Sequence, residues 1–410
     1  MTVISKKNSP GLITWLKGVL LTFAYMYPVK FTFIPFLNSR YFFALIFIFP
    51  LLGKSKFFQL DHNLKKGFRL TCLLAVFIAL NTIAHFSLDF SLVPLPLTFF
   101  LTYCGFKGLE KLVGTFDTER LTFYITCAAL IQMAVSVMLY FIPSIEVFLT
   151  KVIYFDALAM DAMERTQGLR LHGLGVSYFA SGVVHSCVLL LIAIHSERRR
   201  LFYLTSFFII SLVGICISRT IMVGFVPAFI ILIYKISKGN IFSIFMIASV
   251  LVAFFVVAYN MALNSDSIEI LLLFNFGFDF INHYLDSGDT DSESITVLQE
   301  SIQYPESIFG WIFGDGYFAD PEHPDTGYYK NVDQGYLRAV FYYGIVGILI
   351  QFYSYWVMVV RIVKKHRDTF YISIFITYSI IFMKGYQNLY EFIIPLLCIS
   401  TSTNKINKVI

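Results

Sequence analysis

The sequence predicts an all-α protein that crosses a membrane many times, and three observations support this fold class. Hydrophobic residues make up 57% of the 410 residues and charged residues only 14%, with a mean hydropathy of +0.72. Apolar stretches of membrane-spanning length recur along the chain. Lys and Arg concentrate in the polar segments between these stretches. This composition excludes a soluble globular protein.

Twelve apolar stretches are long enough to cross, or nearly cross, a bilayer as helices. They lie at about 12–28, 32–52, 70–88, 91–106, 121–142, 176–195, 201–217, 220–235, 241–259, 336–360, 370–383 and 387–402. The last two are the shortest and need flanking residues to complete a crossing. The first follows Lys6 and Lys7 as in a signal peptide, but no small-residue cleavage site comes after it, so we expect a retained span.

The distribution of basic residues predicts the orientation of these spans. If both termini are cytoplasmic, 21 of the 31 Lys and Arg residues fall in cytoplasmic segments or at their edges. These include the clusters at 198–200 and 361–367. Because cytoplasmic loops of membrane proteins are enriched in Lys and Arg, the opposite orientation is disfavoured.

Residues 260–335 form a polar stretch that this orientation places outside, as a large periplasmic loop. The stretch holds 14 of the 26 acidic residues and one basic residue, Lys330. A second outer loop covers residues 143–175. We find no internal repeat, so residues 1–410 are predicted to be a single polytopic domain carrying these two loops.

Several functional classes are excluded by the same composition. The net charge of +5 is spread over short clusters, without the basic stripe interleaved with aromatic residues that nucleic-acid binding requires. All six cysteines lie in apolar stretches, which excludes a disulfide-stapled exterior and leaves no zinc-like spacing.

Ten basic residues remain, of which Lys17, Lys30, Arg40 and Lys151 lie near span ends and Lys330 lies in the outer loop; the other five map to the outer half beside a span or between two, against the general charge bias. They are Arg165, Arg170, Arg219, Arg338 and Lys384. Any one of them alone is equally well explained as an interfacial side chain paired with a lipid phosphate or a loop carboxylate. Together they predict a positively charged outer cavity, because guanidinium groups bind phosphate oxygens in bidentate fashion.

Such a cavity suits a pyrophosphate-linked lipid, whose departing pyrophosphate needs nearby positive charge during glycosyl transfer. No Asp-x-Asp motif lies near the arginines to bring a metal ion instead, so we expect neither a metal nor another cofactor. Asp289 and Asp291 do have that spacing. They lie in a Ser- and Asp-rich run that is better interpreted as solvated surface.

An acceptor hydroxyl group must lose a proton as it attacks, and a carboxylate or histidine can take it. Asp333 is the first candidate, because it precedes the span at 336–360 and lies five residues before Arg338. The alternative role of Asp333 is an N-cap of that helix. His323 is the second candidate, and His172 is a further one because it follows Arg170 by two residues.

Short motifs around these residues resemble the superfamily of O-antigen polymerases (Wzy-type) and O-antigen ligases. The outer-loop motifs are Gly-Asp-Gly-Tyr at 314–317, Asp-Gln-Gly-Tyr-Leu-Arg at 333–338 and Tyr-Gly-Ile-Val-Gly-Ile at 343–348. Arg-Leu-His-Gly at 170–173, Gly182 and Ser-Arg-Thr at 218–220 add to them. About 60 residues carry the motifs, whereas the span layout is similar over most of the chain.

The resemblance implies a metal-independent, inverting glycosyltransferase of the bacterial inner membrane, with its active site facing the periplasm. Its substrate would be an undecaprenyl-pyrophosphate-linked oligosaccharide held through Arg165, Arg170, Arg219 and Arg338. It also implies a flippase and a chain-length regulator as partners, besides membrane lipid.

Ligases usually carry a histidine just before the span, where this chain has Asp333-Gln334, which favours a polymerase. A ligase stays open through His323. A flippase is disfavoured because we find no repeat and few charges within the spans. If the protein were purely structural, the presence of five cations in the outer half would be a coincidence.

Overall fold

The computed structural model describes residues 11–51, 60, 62–155, 160, 163–164, 166, 168–175, 178–238, 240–287, 302–322 and 327–399. Over these residues the chain is mostly helical. Helices α1–α5 are Leu12–Met26, Ser39–Ile48, His62–Ala84, Leu95–Val113 and Thr118–Phe141. Helices α6–α10 are Pro143–Val152, Tyr178–His195, Arg200–Ile217, Ile221–Ser237 and Ile241–Leu263. Helices α11–α15 are Ile268–Ser287, Ile308–Phe313, Gly335–His366, Ile372–Ile381 and Tyr390–Cys398.

Each predicted apolar stretch overlaps one of these helices. Among the described residues, five helices are long and apolar enough to cross a membrane, which supports the predicted class of all-α membrane protein. These five segments are Leu64–Ala84, Thr118–Phe141, Tyr178–His195, Arg200–Ile217 and Gly335–His366.

The stretch at 32–52 begins as a β-hairpin rather than as a helix. Strand β1 (Lys30–Phe31) pairs antiparallel with β2 (Ile34–Asn38), and the backbone N–H of Thr32 donates to the carbonyl of Val152 at 2.9 Å. Helix α2 starts only after β2, where the side chain of Asn38 accepts a hydrogen bond from the backbone N–H of Tyr41.

The polar stretch at 260–335 also contains more helix than its composition suggested. Helix α10 extends into it, α11 occupies 268–287, and the short α12 occupies 308–313. Helix α11 packs closely against the end of α8. A Cβ added at Gly277 of α11 would lie only 3.3 Å from Cγ2 of Ile215 in α8. The outer loop at 143–175 likewise begins with helix α6.

Helix α7 lies at the centre of the fold, and every residue from Ala180 to Ile194 is buried. Small residues let its neighbours approach closely, as is usual between helices in membranes. A Cβ at Gly224 of α9 would lie 2.2 Å from Cβ of Ser186, and one at Gly182 would lie 2.7 Å from Oγ of Ser218. The second contact fixes the turn between α8 and α9.

Segments predicted to be cytoplasmic meet at one end of the helices. There, Arg198 Nη1 lies 2.6 Å from Glu119 Oε2, and Lys235 Nζ lies 3.0 Å from Asp368 Oδ2. These residues line a polar cavity of about 200 Å³. The start of α7, the end of α8 and the start of α13 lie at the opposite end, together with most of the predicted outer cations.

Candidate active site

Arg219 occupies the turn between α8 and α9 and is held by helix α11. Its Nε donates a hydrogen bond to the carbonyl of Phe276 at 2.7 Å. Its Nη1 lies 3.0 Å from Oδ2 of Asp279. The guanidinium carbon also lies 4.5 Å from the centroid of the Phe276 ring, within the range of a cation–π contact. The segment that appeared to be a polar loop therefore supplies the direct partners of this arginine.

Arg170 reaches the same aromatic ring from the loop before α7. The loop is tied to α8 by a hydrogen bond from the backbone N–H of Leu171 to the carbonyl of Cys216. The guanidinium carbon of Arg170 lies 3.3 Å from the ring centroid of Tyr178 and 5.7 Å from that of Phe276. Its Nε is buried and has no hydrogen-bond partner among the described residues.

Arg170 and Arg219 are neighbours, because both guanidinium groups lie over the ring of Phe276. Burial lowers the pKa of Arg170, the contact with Tyr178 opposes this shift, and the positive charge of Arg219 adds to it. Two like charges thus lie together in a partly desolvated place. An anion bound between them would be favoured by both.

Lys384 lies in the turn after α14 and joins this group of charges. The residue is accessible to solvent, and partial desolvation of its amino group lowers the pKa of Lys384. The charges of Arg219 and Arg170 lower it further, and the carboxylate of Asp333 acts in the opposite direction. Three of the cations predicted from the sequence are therefore brought together, and Asp333 lies within reach of their charge.

Gly335 positions Asp333 beside Lys384 because it permits close backbone contact. A Cβ added at Gly335 would lie 2.3 Å from the carbonyl oxygen of Phe382 and 2.6 Å from the carbonyl carbon of Gly385. The first turn of α13 thus rests directly on the turn that carries Lys384. A side chain at position 335 would separate the two segments.

Asp333 is a carboxylate in a cationic environment, and its side chain is accessible to solvent. Partial desolvation by the surrounding protein raises its pKa, while the charges of Arg338 and Lys384 lower it, and the desolvation prevails. The alternative role of Asp333 as an N-cap does not hold, because Gln334 takes the N-cap position of this helix.

Arg338 is buried at the start of α13, against two aromatic rings of the outer segment. Its guanidinium carbon lies 3.5 Å from the ring centroid of Tyr328 and 4.3 Å from that of Phe318. Its Nε has no hydrogen-bond partner among the described residues. The plane of the guanidinium is therefore fixed by stacking, while donor capacity is left for a ligand.

The Gly-Asp-Gly-Tyr motif at 314–317 packs on the Tyr-Gly-Ile-Val-Gly motif of α13. The backbone N–H groups of Asp315 and Gly316 both point to the carbonyl of Phe341. A Cβ at Gly344 would lie 2.2 Å from the carbonyl oxygen of Ile312. Gly344 has φ 65° and ψ −178°, so α13 is broken where the two motifs meet.

The segment between α3 and α4 holds this motif from its other side. Asp89 Oδ2 accepts backbone hydrogen bonds from Phe318 at 2.7 Å and from Ala319 at 3.0 Å. The hydroxyl of Ser87 donates to the carbonyl of Gly316 at 2.6 Å. Phe318, which stacks on Arg338, is thereby fixed through its own backbone.

Asp315 is a second carboxylate that sequence reasoning noted in its motif but did not select. Burial raises its pKa, against the positive charge of Lys330. Its neighbour Tyr317 stacks on Tyr329 with ring centroids 5.0 Å apart. The signal for this site was the pair of flanking glycines at positive φ, Gly314 and Gly316, which present the Asp315 side chain from a tight turn.

His172 has a partner that the sequence did not indicate. Its Nε2 lies 3.3 Å from Oε1 of Glu146 in α6. Burial lowers the pKa of His172, Glu146 raises it, and the charge of Arg170 lowers it. His172 therefore lies between Glu146 of another helix and the charge of Arg170.

Two predicted site residues, Arg165 and His323, lie outside the described residues, as do Asp289 and Asp291. The structure brings Arg170, Arg219, Lys384, Asp333 and Arg338 into one electrostatically linked group, which we call the cation cluster. Within the described residues, no group of three or more His, Cys, Asp or Glu side chains is placed to hold a metal ion.

Phe276, Asp279, Tyr178 and Tyr328 complete the surroundings of the cation cluster and were missed from the sequence. Aromatic residues are so abundant in this chain that nothing in the sequence distinguished these three rings. Comparisons of the chain with protein-family models, with curated proteins and with solved structures find no match. The case for a function therefore rests on the geometry and charge of the cation cluster.

Proposed function

We propose that the protein is a metal-independent glycosyltransferase of the O-antigen polymerase type. It would join undecaprenyl-pyrophosphate-linked oligosaccharide units into a polysaccharide at the periplasmic face of the bacterial inner membrane. The observation that supports this most is the gathering of four cations near the carboxylates Asp333 and Asp279, with Arg338 buried and Arg170 and Arg219 partly buried. Two of these cations, Arg170 and Arg338, keep an Nε without a partner among the described residues.

The cost of that arrangement points to an anionic ligand. Buried charged groups are strongly destabilising unless they are paired and hydrogen-bonded. Asp279 pairs with Arg219, and Asp333 acts on Lys384 and Arg338, which leaves the group with a net positive charge. A pyrophosphate would supply both the missing negative charge and the missing acceptors.

The proposed reaction uses each part of the cation cluster. Asp333 takes the proton from an acceptor sugar hydroxyl as its oxygen attacks the anomeric carbon of the donor chain. The new carbon–oxygen bond forms as the bond to pyrophosphate breaks, with inversion at that carbon. The bonding electrons leave with the pyrophosphate, which Arg170, Arg219, Arg338 and Lys384 stabilise.

The proposed topology has twelve spans, cytoplasmic termini and the loops 143–175 and 260–335 in the periplasm. The charged residues gathered around Arg198 and Lys235 support this topology. They lie at one end of the helices, with the cation cluster at the other, as a cytoplasmic and a periplasmic face require. A flippase that delivers the lipid-linked units and a regulator of chain length are the proposed partners.

Deleting the gene and separating the surface lipopolysaccharide on a gel tests the activity. The proposal predicts loss of the ladder, with a band of core plus one repeat unit remaining. A bare core would indicate a ligase or a flippase instead, and an unchanged ladder would refute a role in this polymer.

A residue test uses Arg170→Ala and Arg219→Ala in the complemented deletion strain. Each should abolish the ladder while the protein still inserts into the membrane. Arg198→Ala is the matched control, because it removes an arginine from the opposite end of the same fold and should keep the ladder. Normal ladders from both cluster variants would overturn the role of these arginines in binding pyrophosphate.

A further inference from the structure

The segment between α3 and α4 has an inverted arrangement of polar and apolar side chains. Phe86 and Leu88 are 87% and 68% exposed. Between and after them, Ser87 and Asp89 point inward and hydrogen-bond to the segment 316–319. A loop facing water would place these side chains the other way round.

The backbone adopts a costly conformation to produce this arrangement. Phe86 has φ 54° and Leu88 has φ 52°. Left-handed backbone is sterically unfavourable for an L-residue with a Cβ. The chain thus accepts strain at both positions while directing two large apolar side chains outward, which would be doubly unfavourable in water.

Helix α12 continues the same surface. Ile308 is 79% exposed, and Phe309 and Ile312 are exposed as well. The ring of Phe309 lies 6.0 Å from that of His85, which joins α12 to the α3–α4 segment. We call the exposed side chains of Phe86, Leu88, Ile308, Phe309 and Ile312 the apolar rim.

The apolar rim is continuous with the outward faces of two candidate membrane spans. On α3 the exposed side chains follow helical spacing and lead up to Phe86; they are Leu73, Val76, Leu80 and Ile83. On α13 a similar row leads up to the contact of Gly344 with Ile312; it consists of Trp356, Tyr353, Leu349 and Ile345. Whatever covers these two rows therefore extends onto the rim.

Backbone hydrogen bonding at the rim suits a non-aqueous environment. The N–H groups of His85, Phe86 and Ser87 donate to the carbonyls of Asn81, Ile83 and Thr82. Helix α12 bonds internally, and its start is capped by the hydroxyl of Ser307, which accepts from the N–H of Gly310 at 2.9 Å. Hydrocarbon tolerates backbone only where its polar groups are satisfied in this way.

We propose that the apolar rim is immersed in the acyl chains of the bilayer leaflet on the side of the cation cluster. The polar boundary then falls between Ile308 and Glu306, whose carboxylate is exposed and lies 3.5 Å from Nζ of Lys330. The Gly-Asp-Gly-Tyr turn is in this way set at the membrane surface rather than in open periplasm. This inference needs only the membrane spans and is independent of the proposed enzymatic activity.

Fluorescence quenching in reconstituted vesicles tests the proposal. Tryptophan is introduced by Phe86→Trp or Phe309→Trp in a protein whose three native tryptophans are replaced by Phe. The same substitution at Leu349 provides the lipid-facing control, and Glu322→Trp provides the water-facing control. Phosphatidylcholine brominated on its acyl chains should quench positions 86 and 309 to an extent comparable with position 349, whereas aqueous iodide should quench only position 322.

Two results would overturn the proposal. Iodide quenching at 86 and 309, without an effect of brominated lipid, would show a surface in water. Protection from both quenchers would show that a protein, such as a second copy of this chain, covers the rim. If the substituted protein does not fold, the unsubstituted protein is labelled with a lipid bearing a photoreactive acyl chain. Label should then appear in peptides covering 86–90 and 308–312, and its absence there despite labelling of α13 would contradict immersion.

Discussion

Asp279 holds Arg219, with 3.0 Å between the carboxylate Oδ2 and the guanidinium Nη1. Both side chains are partly exposed, so the pair contributes no more than about 1 kcal/mol to stability. The pair has a larger effect on binding, because the carboxylate occupies a donor that an anionic ligand would use. Asp279 is thus an internal competitor for the proposed pyrophosphate.

Replacing Asp279 by Asn should therefore strengthen anion binding. Asp279→Asn removes one negative charge and leaves the hydrogen bond from Arg219 Nε to Phe276 in place. We expect the affinity for inorganic pyrophosphate, measured by titration calorimetry on the purified protein, to rise about three- to tenfold at low salt and less at high salt. Asp368→Asn, which removes the partner of Lys235 at the opposite end, should leave it unchanged. Weaker binding in Asp279→Asn would show that the carboxylate mainly positions Arg219.

The stacked guanidinium of Arg338 should not be replaceable by an ammonium group. Arg338→Lys keeps the charge but loses the planar group that lies against Tyr328 and Phe318. We expect the initial rate of polymer formation to fall on the order of tenfold or more. Arg361→Lys is the control, since Arg361 lies near the other end of the same helix and donates to the carbonyl of His62. Equal rates for both variants would refute the requirement for a planar guanidinium at position 338.

The proposed base should produce an acidic limb in the pH dependence of activity. Asp333 must be ionised to accept a proton, and partial desolvation raises its pKa, so the rate should fall as the pH falls through a range above that of an ordinary aspartate. Asp333→Glu should retain the limb with a lower rate, whereas Asp333→Asn should be inactive. An unaltered limb in Asp333→Asn would assign the proton to another group, with Asp315 the next carboxylate to test.

The raised pKa of Asp333 should also make the free energy of unfolding depend on pH, in a defined direction. Between the ordinary and the raised pKa, folded Asp333 keeps its proton while the unfolded chain has lost it. The free energy of unfolding should therefore decrease as the pH rises through that window. Denaturation measured across this range should show a smaller decrease in Asp333→Asn than in the unsubstituted protein.

Placing a side chain at position 335, where two backbone segments are in contact, should separate Asp333 from Lys384. In Gly335→Ala the new methyl group meets the carbonyl oxygen of Phe382 at 2.3 Å. We expect a loss of stability of about 1–3 kcal/mol and a large loss of activity. Thermal unfolding in detergent measures the stability, and the lipopolysaccharide ladder on a gel measures the activity. Gly11→Ala meets no atom within 4 Å and should be silent; full activity of Gly335→Ala would show that this contact does not position the site.

Asp89 should control the order of the Gly-Asp-Gly-Tyr turn. Asp89→Ala leaves the backbone N–H groups of Phe318 and Ala319 without their acceptor, at a cost of about 1–3 kcal/mol for each one that stays buried. Burial acts to raise the pKa of Asp89, but the hydrogen bonds from Ser91, Ala319 and Phe318 prevail and lower it. The stability that Asp89 provides is therefore lost as the pH falls through that lowered pKa.

Limited proteolysis provides the measurement for this turn. We expect faster cleavage between 314 and 322 in Asp89→Ala than in the unsubstituted protein, and the same acceleration on acidification of the latter. Asp320→Ala alters an aspartate beyond the two amides that Asp89 holds and is the comparison variant. Equal cleavage rates in Asp89→Ala and the unsubstituted protein would contradict this role.

The fold class was predictable because helices that cross a membrane need long apolar stretches, which are easy to detect in a sequence. Each apolar stretch overlaps a helix, and the outer cations that the structure describes were brought together. Arg170 and Lys384 are 214 positions apart, and their electrostatic linkage emerged only from the packing of α7, α8, α13 and α14. The hairpin at 30–38 escaped prediction because its strands are as apolar as the helices around it.

Other parts of the site have no signal in one sequence. Asp279 lies in a segment whose acidic composition suggested a solvated loop, although its apolar residues form a helix that packs on α8. Phe276, Tyr178 and Tyr328 are three of 70 Phe and Tyr residues. Their importance depends on which cation they contact, and a contact between distant segments leaves no periodicity to detect.

The break at Gly344 lets the two parts of α13 adopt their rotations independently, which one continuous helix would not allow. In an unbroken helix, each residue inserted or deleted turns everything beyond it by about 100°. Residues 335–343 take their rotation from the turns they touch, whereas residues 345–366 take theirs from neighbouring helices and lipid. A change in the length of the membrane-facing part can therefore be absorbed at residue 344. This part can then match a different bilayer thickness without changing the orientation of the Arg338 side chain.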